Sequence, residues 1–414
     1  MTRVPITIDN VGPEERVVVP ARRISDDFSE FTQARSLDDV FALAREVIED
    51  PTMPTVDAWT RSGRHAVASF PVYTPQELVH SLGMLPVTVQ GGGEGYEITH
   101  ADAPLGSFLC SISKSTLEMA LTHQLDRFSG FVFPYICDVS RNLEGIFART
   151  WGGRPTYMLH LPQNFDTSAA VPFLLAEYRR LIEQLEGMAG RKFDAADLAA
   201  SIKLFNRQRE LVAQLATLKR TQPWRITAVE HYLLQRLGTL IPREVHVVVL
   251  ENAIRELAKR ERKQRDAVPV LIVGPFCEQP TIDLLQLVED VGCYVIGDEL
   301  QMQTRWHGPI KPTNDPLRDL AEAYLKAGLD IGVCRTPTTK EDAIIDRVTS
   351  HKAGGVIFLT AKFCEPAGED LVLYRRALEK KTIPSIQIEF EEKSSGYEQS
   401  RLMLETFVES ILFE

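Results

Sequence analysis

Hydrophobic residues along the chain switch between a helical period and short continuous runs, and the switches divide it into four stretches. Residues 1–64 are mostly polar and carry one amphipathic segment, in which Leu37, Val40, Phe41, Ala44 and Val47 follow Ser36 at helical spacing and stop at Pro51. This predicts an N-terminal arm with one good helix, packed on a neighbouring domain or subunit. From His65 the pattern changes to short apolar runs at 66–72, 85–89, 131–133 and 156–161, which read as strands. Thr74-Pro75-Gln76-Glu77 reads as a capping box with Pro at the first helical position, opening a helix that Gly83 stops; 138–149 reads as another helix. Strand, helix and strand in that order make a βαβ unit, whose economical solution is a parallel sheet. Residues 65–165 are therefore read as a first α/β domain.

Between 166 and 265 strand signals nearly vanish. Leu174, Leu175, Tyr178, Leu181, Ile182 and Leu185 recur at helical spacing, as do Leu198, Ile202, Phe205, Leu211, Leu215 and Leu218. These stripes predict a helical segment that packs beside the sheets and shapes a contact between subunits. The βαβ rhythm then returns over 266–414. Strands are expected at 268–273, 294–296, 355–360 and 385–390, and helices at 281–291, 315–327, 370–380 and from Tyr397. The near-continuous apolar runs suit a parallel sheet covered on both faces. The fold class is α/β, in two domains joined by the helical segment.

Composition narrows the partners. The 46 basic and 57 acidic side chains leave a net charge of −11, and no basic face is visible, which argues against nucleic acid. At 44% hydrophobic and 25% charged, the chain has the composition of a globular protein. The N-terminus lacks the apolar core of a signal peptide, and the longest apolar runs are about six residues against the ~20 of a spanning helix. Six cysteines in 414 residues are too sparse for a disulfide scaffold. A reducing, cytoplasmic setting is expected, with no membrane contact.

The placement of those cysteines carries the chemistry. Cys137 and Cys364 each follow an apolar strand and precede a helix, and each has an acid beside it; Cys277 has the same placement. Cys110 stands just ahead of a helix, Cys334 follows an apolar run, and Cys293 opens a strand. A single cysteine is most simply a small buried hydrophobe, but loops at the C-terminal ends of parallel strands are where open α/β sheets place their chemistry. No Cys-x-x-Cys or His-x-x-x-His pair supports zinc. Thiolates converging from two domains suit an iron–sulfur cluster better. His100 and His123 fall near the first cysteine and are candidate proton donors. Gly91-Gly92-Gly93-Glu94-Gly95 lacks the ending of a phosphate-binding P-loop and reads as a flexible turn, and no Gly-x-Ser-x-Gly elbow occurs.

Three segments carry a family resemblance over residues 65–414: Thr74-Pro75-Gln76-Glu77-Leu78 through Gly83-Met84-Leu85-Pro86-Val87, then Phe133-Pro134-Tyr135-Ile136-Cys137-Asp138, then Lys362-Phe363-Cys364-Glu365-Pro366. Together they resemble subunits of ATP-dependent benzoyl-CoA reductases and 2-hydroxyacyl-CoA dehydratases. Phe276-Cys277-Glu278-Gln279-Pro280 and Gly292-Cys293-Tyr294-Val295-Ile296 look most like a cluster-carrying reductase subunit. The resemblance implies two flavodoxin-like domains and a [4Fe-4S] cluster on Cys110, Cys137 and Cys364, with one iron lacking a cysteine ligand. It implies a related cluster-carrying partner subunit, an ATP-hydrolysing iron–sulfur activator, ferredoxin upstream and an acyl-CoA substrate. The missing P-loop fits that division of labour. The expected reaction is single-electron reduction of benzoyl-CoA or a related aromatic acyl-CoA to a cyclic dienoyl-CoA. The alternatives are radical elimination of water from a 2-hydroxyacyl-CoA, or a non-catalytic electron-relay or scaffold subunit. Cys277, Cys293 and Cys334 exceed the three cysteines required, and a second cubane bridged to the first is one expectation for them. No basic cluster stands out for the CoA 3′-phosphate.

Overall fold

A computed structural model describes residues 22–304, 307–327, 339–394 and 396–413. Cys334 and the start of the arm lie outside these. The arm supplies α1 (Ser29–Thr32), α2 (Leu37–Glu49) and α3 (Pro54–Thr60). Ser36 caps α2 by accepting from the Asp39 N–H, and the apolar stripe of α2 is buried.

The first half forms a four-stranded parallel sheet of β1 (Ala66–Ser69), β2 (Leu85–Thr88), β3 (Gly130–Pro134) and β4 (Thr156–Leu159), in the order β2-β1-β3-β4. Its helices are α4 (Gln76–Ser81), α5 (Ser111–Leu121) and α6 (Asp138–Thr150). Phe131 and Phe133 stack on one another, and Phe147 of α6 meets both edge-on, which fixes α6 to the sheet. The capping box anticipated at Thr74 does not form. Pro75 occupies the cap position without a side-chain bond, because Glu77 is committed to a buried ion pair with Arg209 and Gln76 bonds Thr88 and Arg243.

Four helices follow: α7 (Ala170–Ala189), α8 (Ala195–Thr221), α9 (Ala228–Leu237) and α10 (Arg243–Lys259). They bridge the two halves. Helix α8 packs on α4 and α10 and also reaches the second sheet, while α9 is packed by α2 from the arm.

The second half comprises β5 (Val268–Val273), α11 (Ile282–Asp290), β6 (Cys293–Asp298), α12 (Pro316–Ala327), α13 (Lys340–His351), β7 (Gly355–Ala361), α14 (Glu365–Lys380), β8 (Ser385–Phe390) and α15 (Glu398–Phe413). Its sheet is parallel in the order β6-β5-β7-β8, the same winding as the first, with a register shift between Val270 and Leu271. Both sheets thus follow the flavodoxin-like order, which reverses between their first and third strands. Helix α13 escaped the sequence pattern because its buried apolar face is only Ile344 and Val348. Helix α14 starts five residues earlier than its apolar spacing suggests, at Glu365, with Cys364 in the N-cap position and Pro366 in its first turn. Among the described residues, no helix is long and apolar enough to cross a membrane.

Candidate functional site

Four strand-to-helix connections bring four cysteines together. Cys137 follows β3 and is the N-cap of α6, where its Sγ accepts from the Ser140 N–H at 3.4 Å. Cys364 follows β7 and is the N-cap of α14; the residue before it, Phe363, has a left-handed backbone (φ 62°), which costs a non-glycine residue energy. Cys110 is the N-cap of α5, with its Sγ 3.5 Å from the Ser113 hydroxyl. Cys277 leaves β5 through Gly274, whose φ of 108° strains any other residue and whose Cβ would come 3.0 Å from the Leu359 carbonyl. Strands β5 and β7 are neighbours at the point where the winding reverses.

Packing and electrostatics both show the convergence. Cys364 touches two hydrophobic clusters that each draw on both halves; Cys110 packs on one of them and Cys277 on the other. All four are free thiols. Burial, then the nearby Cys364, Cys137 and Cys110, pushes the Cys277 thiol well up. Burial also pushes Cys110 and Cys364 up to about 12, Cys110 feeling Cys364 and Cys137 in addition, and Cys364 feeling Cys137. Cys137 is raised for the same first reason, burial.

Cysteine is not among the preferred N-cap residues, yet it occupies the N-cap position of three helices here, and at α6 its sulfur makes the capping bond. Each helix N-terminus presents partial positive charge, so α5, α6 and α14 together favour negatively charged sulfur at this point. Two buried carboxyl groups of the second half bond the start of α5 and the glycine run of the first. Glu278 accepts from the Ser111 hydroxyl (2.5 Å) and the Ile112 N–H (3.2 Å), and burial lifts it to about 7. Glu392 accepts from the Ser115 hydroxyl (2.5 Å) and the Gly93 N–H (3.1 Å); burial, then Glu278, lifts it to about 8. A Cβ at Gly91 would overlap the Glu392 carboxyl, so the glycine run serves close approach rather than flexibility alone. Neither carboxyl was anticipated. The adjacency of Glu278 to Cys277 was a usable signal, whereas Glu392 had none.

The donor set bears on which metal group the site could take. Among the described residues no three His, Cys, Asp or Glu side chains are close enough to grip one metal ion. Sulfurs around one tetrahedral ion stand about 4 Å apart, whereas those of a cubane each take a different iron and lie further apart. Half-buried, wholly thiol donors at three helix N-termini fit a cubane, whose sulfurs each take a different iron.

The remaining candidates lie elsewhere. Cys293 is the first residue of β6, fully buried in the core. Its thiol is raised to about 12 by burial and by Glu289, with no part played by the other cysteines. It sits at the N-terminal edge of the sheet, a strand length of roughly 20 Å from the loops at the opposite edge, so it cannot share a second cubane with Cys277. His100 Nδ1 lies 2.7 Å from Glu118, whose buried carboxylate also accepts the backbone N–H groups of His100 and Ala101. It anchors its loop part-way down α5. His123 is exposed in a left-handed turn past the C-terminal end of α5, 3.1 Å from Asp126, about 16 Å along the helix from Cys110.

Residues 71–411 match the family described as 2-hydroxyglutaryl-CoA dehydratase, D-component. The chain belongs to this family. Among curated members it is 32% identical to a benzoyl-CoA reductase subunit of Thauera aromatica, over 90% of this chain and 98% of that one. It is 27% identical to the (R)-phenyllactyl-CoA dehydratase beta subunit of Clostridium sporogenes, over 89% and 97%. It is 26% identical to the beta subunit of lactoyl-CoA dehydratase of Anaerotignum propionicum, over 90% and 98%. The dehydratase-family members similar to this chain are thus enzyme subunits of both reductase and dehydratase type, matched over nearly their full length.

Proposed function

We propose that this chain is an iron–sulfur subunit of a low-potential acyl-CoA reductase that reduces the ring of benzoyl-CoA or a related aromatic acyl-CoA to a cyclic dienoyl-CoA. The observation that carries the reading is the meeting of Cys110, Cys137 and Cys364 at three helix N-termini from two sheets. Bound there, a [4Fe-4S] cluster would take up and pass on single electrons. The three thiolates would hold it, the helix ends would stabilise its negative charge, and the enclosing loops would limit its contact with water. The similarity to a benzoyl-CoA reductase subunit supports the aromatic substrate and a related partner subunit. An ATP-hydrolysing activator fed by ferredoxin completes the proposal, since ring reduction needs a potential below that of ferredoxin alone.

Dehydration of a 2-hydroxyacyl-CoA is the second reading, favoured by the dehydratase beta subunits at 25–27% identity. The two separate in one assay. With partner subunit, activator, ATP and a strong reductant, benzoyl-CoA is expected to yield a cyclic dienoyl-CoA; water loss from a 2-hydroxyacyl-CoA as the sole activity refutes the reductase. Anaerobically purified protein is expected to be coloured, and a colourless, iron-free, folded chain removes the cluster.

A further inference from the structure

We propose that Cys277 is a fourth cysteine ligand of the same cluster, so that every iron is held by protein sulfur and the subunit relays electrons without binding substrate at iron. This rests on the cluster proposed above and departs from the three-cysteine set that the resemblance implies. It also gives Cys277 a place other than a second cubane.

The geometry comes from the loop after β5. Cys277 and Cys364 leave adjacent strands, β5 and β7, on the same edge of the sheet, at the winding reversal. Both pack against the same core together with Ile136, the neighbour of Cys137. The residue after Cys277 is bonded to the residue after Cys110: Glu278 takes the Ser111 hydroxyl and the Ile112 N–H at the first turn of α5. That bond holds the two cysteine-bearing backbones side by side across the two halves. Glu278 spends both oxygens in this way and is not available as the fourth ligand itself. The loop is held by its own bonds too. The Gln279 amide donates to the carbonyls of Pro275 (2.7 Å) and Cys277 (3.3 Å), while its oxygen accepts from the Gln301 N–H (3.0 Å). Cys277 is thus presented by a fixed loop to a point that the other three cysteines share. The Cys277 thiol loses its proton to solvent as the sulfur–iron bond forms, and no electron moves.

Ligand number has a chemical signature independent of activity. A cubane with an iron that lacks a cysteine ligand loses that iron readily on mild oxidation: [4Fe-4S]2+ gives [3Fe-4S]+, Fe2+ and one electron, which ferricyanide accepts. The full-length chain, purified without oxygen, is compared with Cys277→Ser and Cys277→Ala, with Cys293→Ser as a control. All should begin with about four irons per chain. On ferricyanide titration the Cys277 variants should develop the paramagnetic [3Fe-4S]+ signal about 10-fold faster than the unmutated chain and the control. Mössbauer spectra of the iron-enriched unmutated protein, which need no variant to fold, should show no separate quarter of the iron with the larger isomer shift of oxygen or nitrogen ligation. Equal rates of iron loss in unmutated and Cys277→Ala chains, or a resolved quarter of that kind, would overturn the Cys277 assignment and leave the cluster reading standing. An unmutated chain without iron overturns the cluster reading first.

Discussion

A thiol at the N-terminus of a buried helix feels two opposing fields: the helix end favours the thiolate, and the apolar surroundings favour the thiol. At Cys110, Cys137 and Cys364 burial prevails, and a bound metal cation is what reverses the balance. Cys137→Ser should therefore leave a folded chain with less than half the iron of the unmutated protein, by metal analysis and visible absorbance. The same physics acts at Glu289, away from the cysteine group, where burial lifts the carboxyl to about 7 although Lys219 and the Ala228 N–H oppose it. The native state then holds this proton more tightly than the unfolded chain. Its contribution is fully present below about pH 4.5 and is lost as pH rises through 7, on the order of 3 kcal/mol. Glu289→Gln should flatten the pH dependence of the thermal midpoint between pH 5 and 8, and an unchanged slope would refute the assignment. At this scale the sequence was a partial guide. Strand-to-helix spacing marked Cys110, Cys137, Cys277 and Cys364 and set Cys293 apart at a strand start, but the count of cysteines beyond three still grouped Cys277 with Cys293. What separates those two is which edge of a sheet each residue occupies.

Helix α8 shows how one element links parts distant in sequence. Its Lys219 forms a wholly buried ion pair with Asp298 at the end of β6 (2.7 Å), and His231 of α9 lies 3.3 Å from the same carboxylate. Removing one member of such a pair leaves a charge in the core without its main counter-charge and costs about 3–5 kcal/mol. Lys219→Met should lower the denaturant midpoint accordingly, and adding Asp298→Asn should recover most of the loss. If the double variant proves as unstable as the single one, charge is not the cause. Long elements were legible because apolar stripes such as that of α7, with Leu174, Tyr178, Leu181 and Leu185 all buried, are deep enough to read. Element starts were less so. Tertiary partners decide them, as Arg209 does by claiming Glu77 at α4.

The whole molecule is two similarly wound sheets held together by a few buried polar bonds and by the four bridging helices. Besides Glu278 and Glu392, the amides of Gln90 and Gln301 bond each other across the halves, and the Gln303 amide donates to the Thr74 carbonyl. Glu392→Ala would strip the Gly93 N–H and the Ser115 hydroxyl of a shared acceptor, at about 1–3 kcal/mol. Hydrogen exchange should quicken in residues 91–96 and at the start of α5 while the strand interiors stay protected; uniform acceleration would point instead to global loosening. The βαβ rhythm foretold both sheets, but not that their C-terminal edges meet, because no periodicity records how two sheets face each other. That meeting has a consequence for how the protein is made. Cys110 and Cys364 stand more than 250 residues apart, so a ribosome has built the first half and most of the second before the last of these thiols emerges. An iron cofactor at this point is necessarily a late addition, and a chain truncated before α14 would reach the cell unable to receive it.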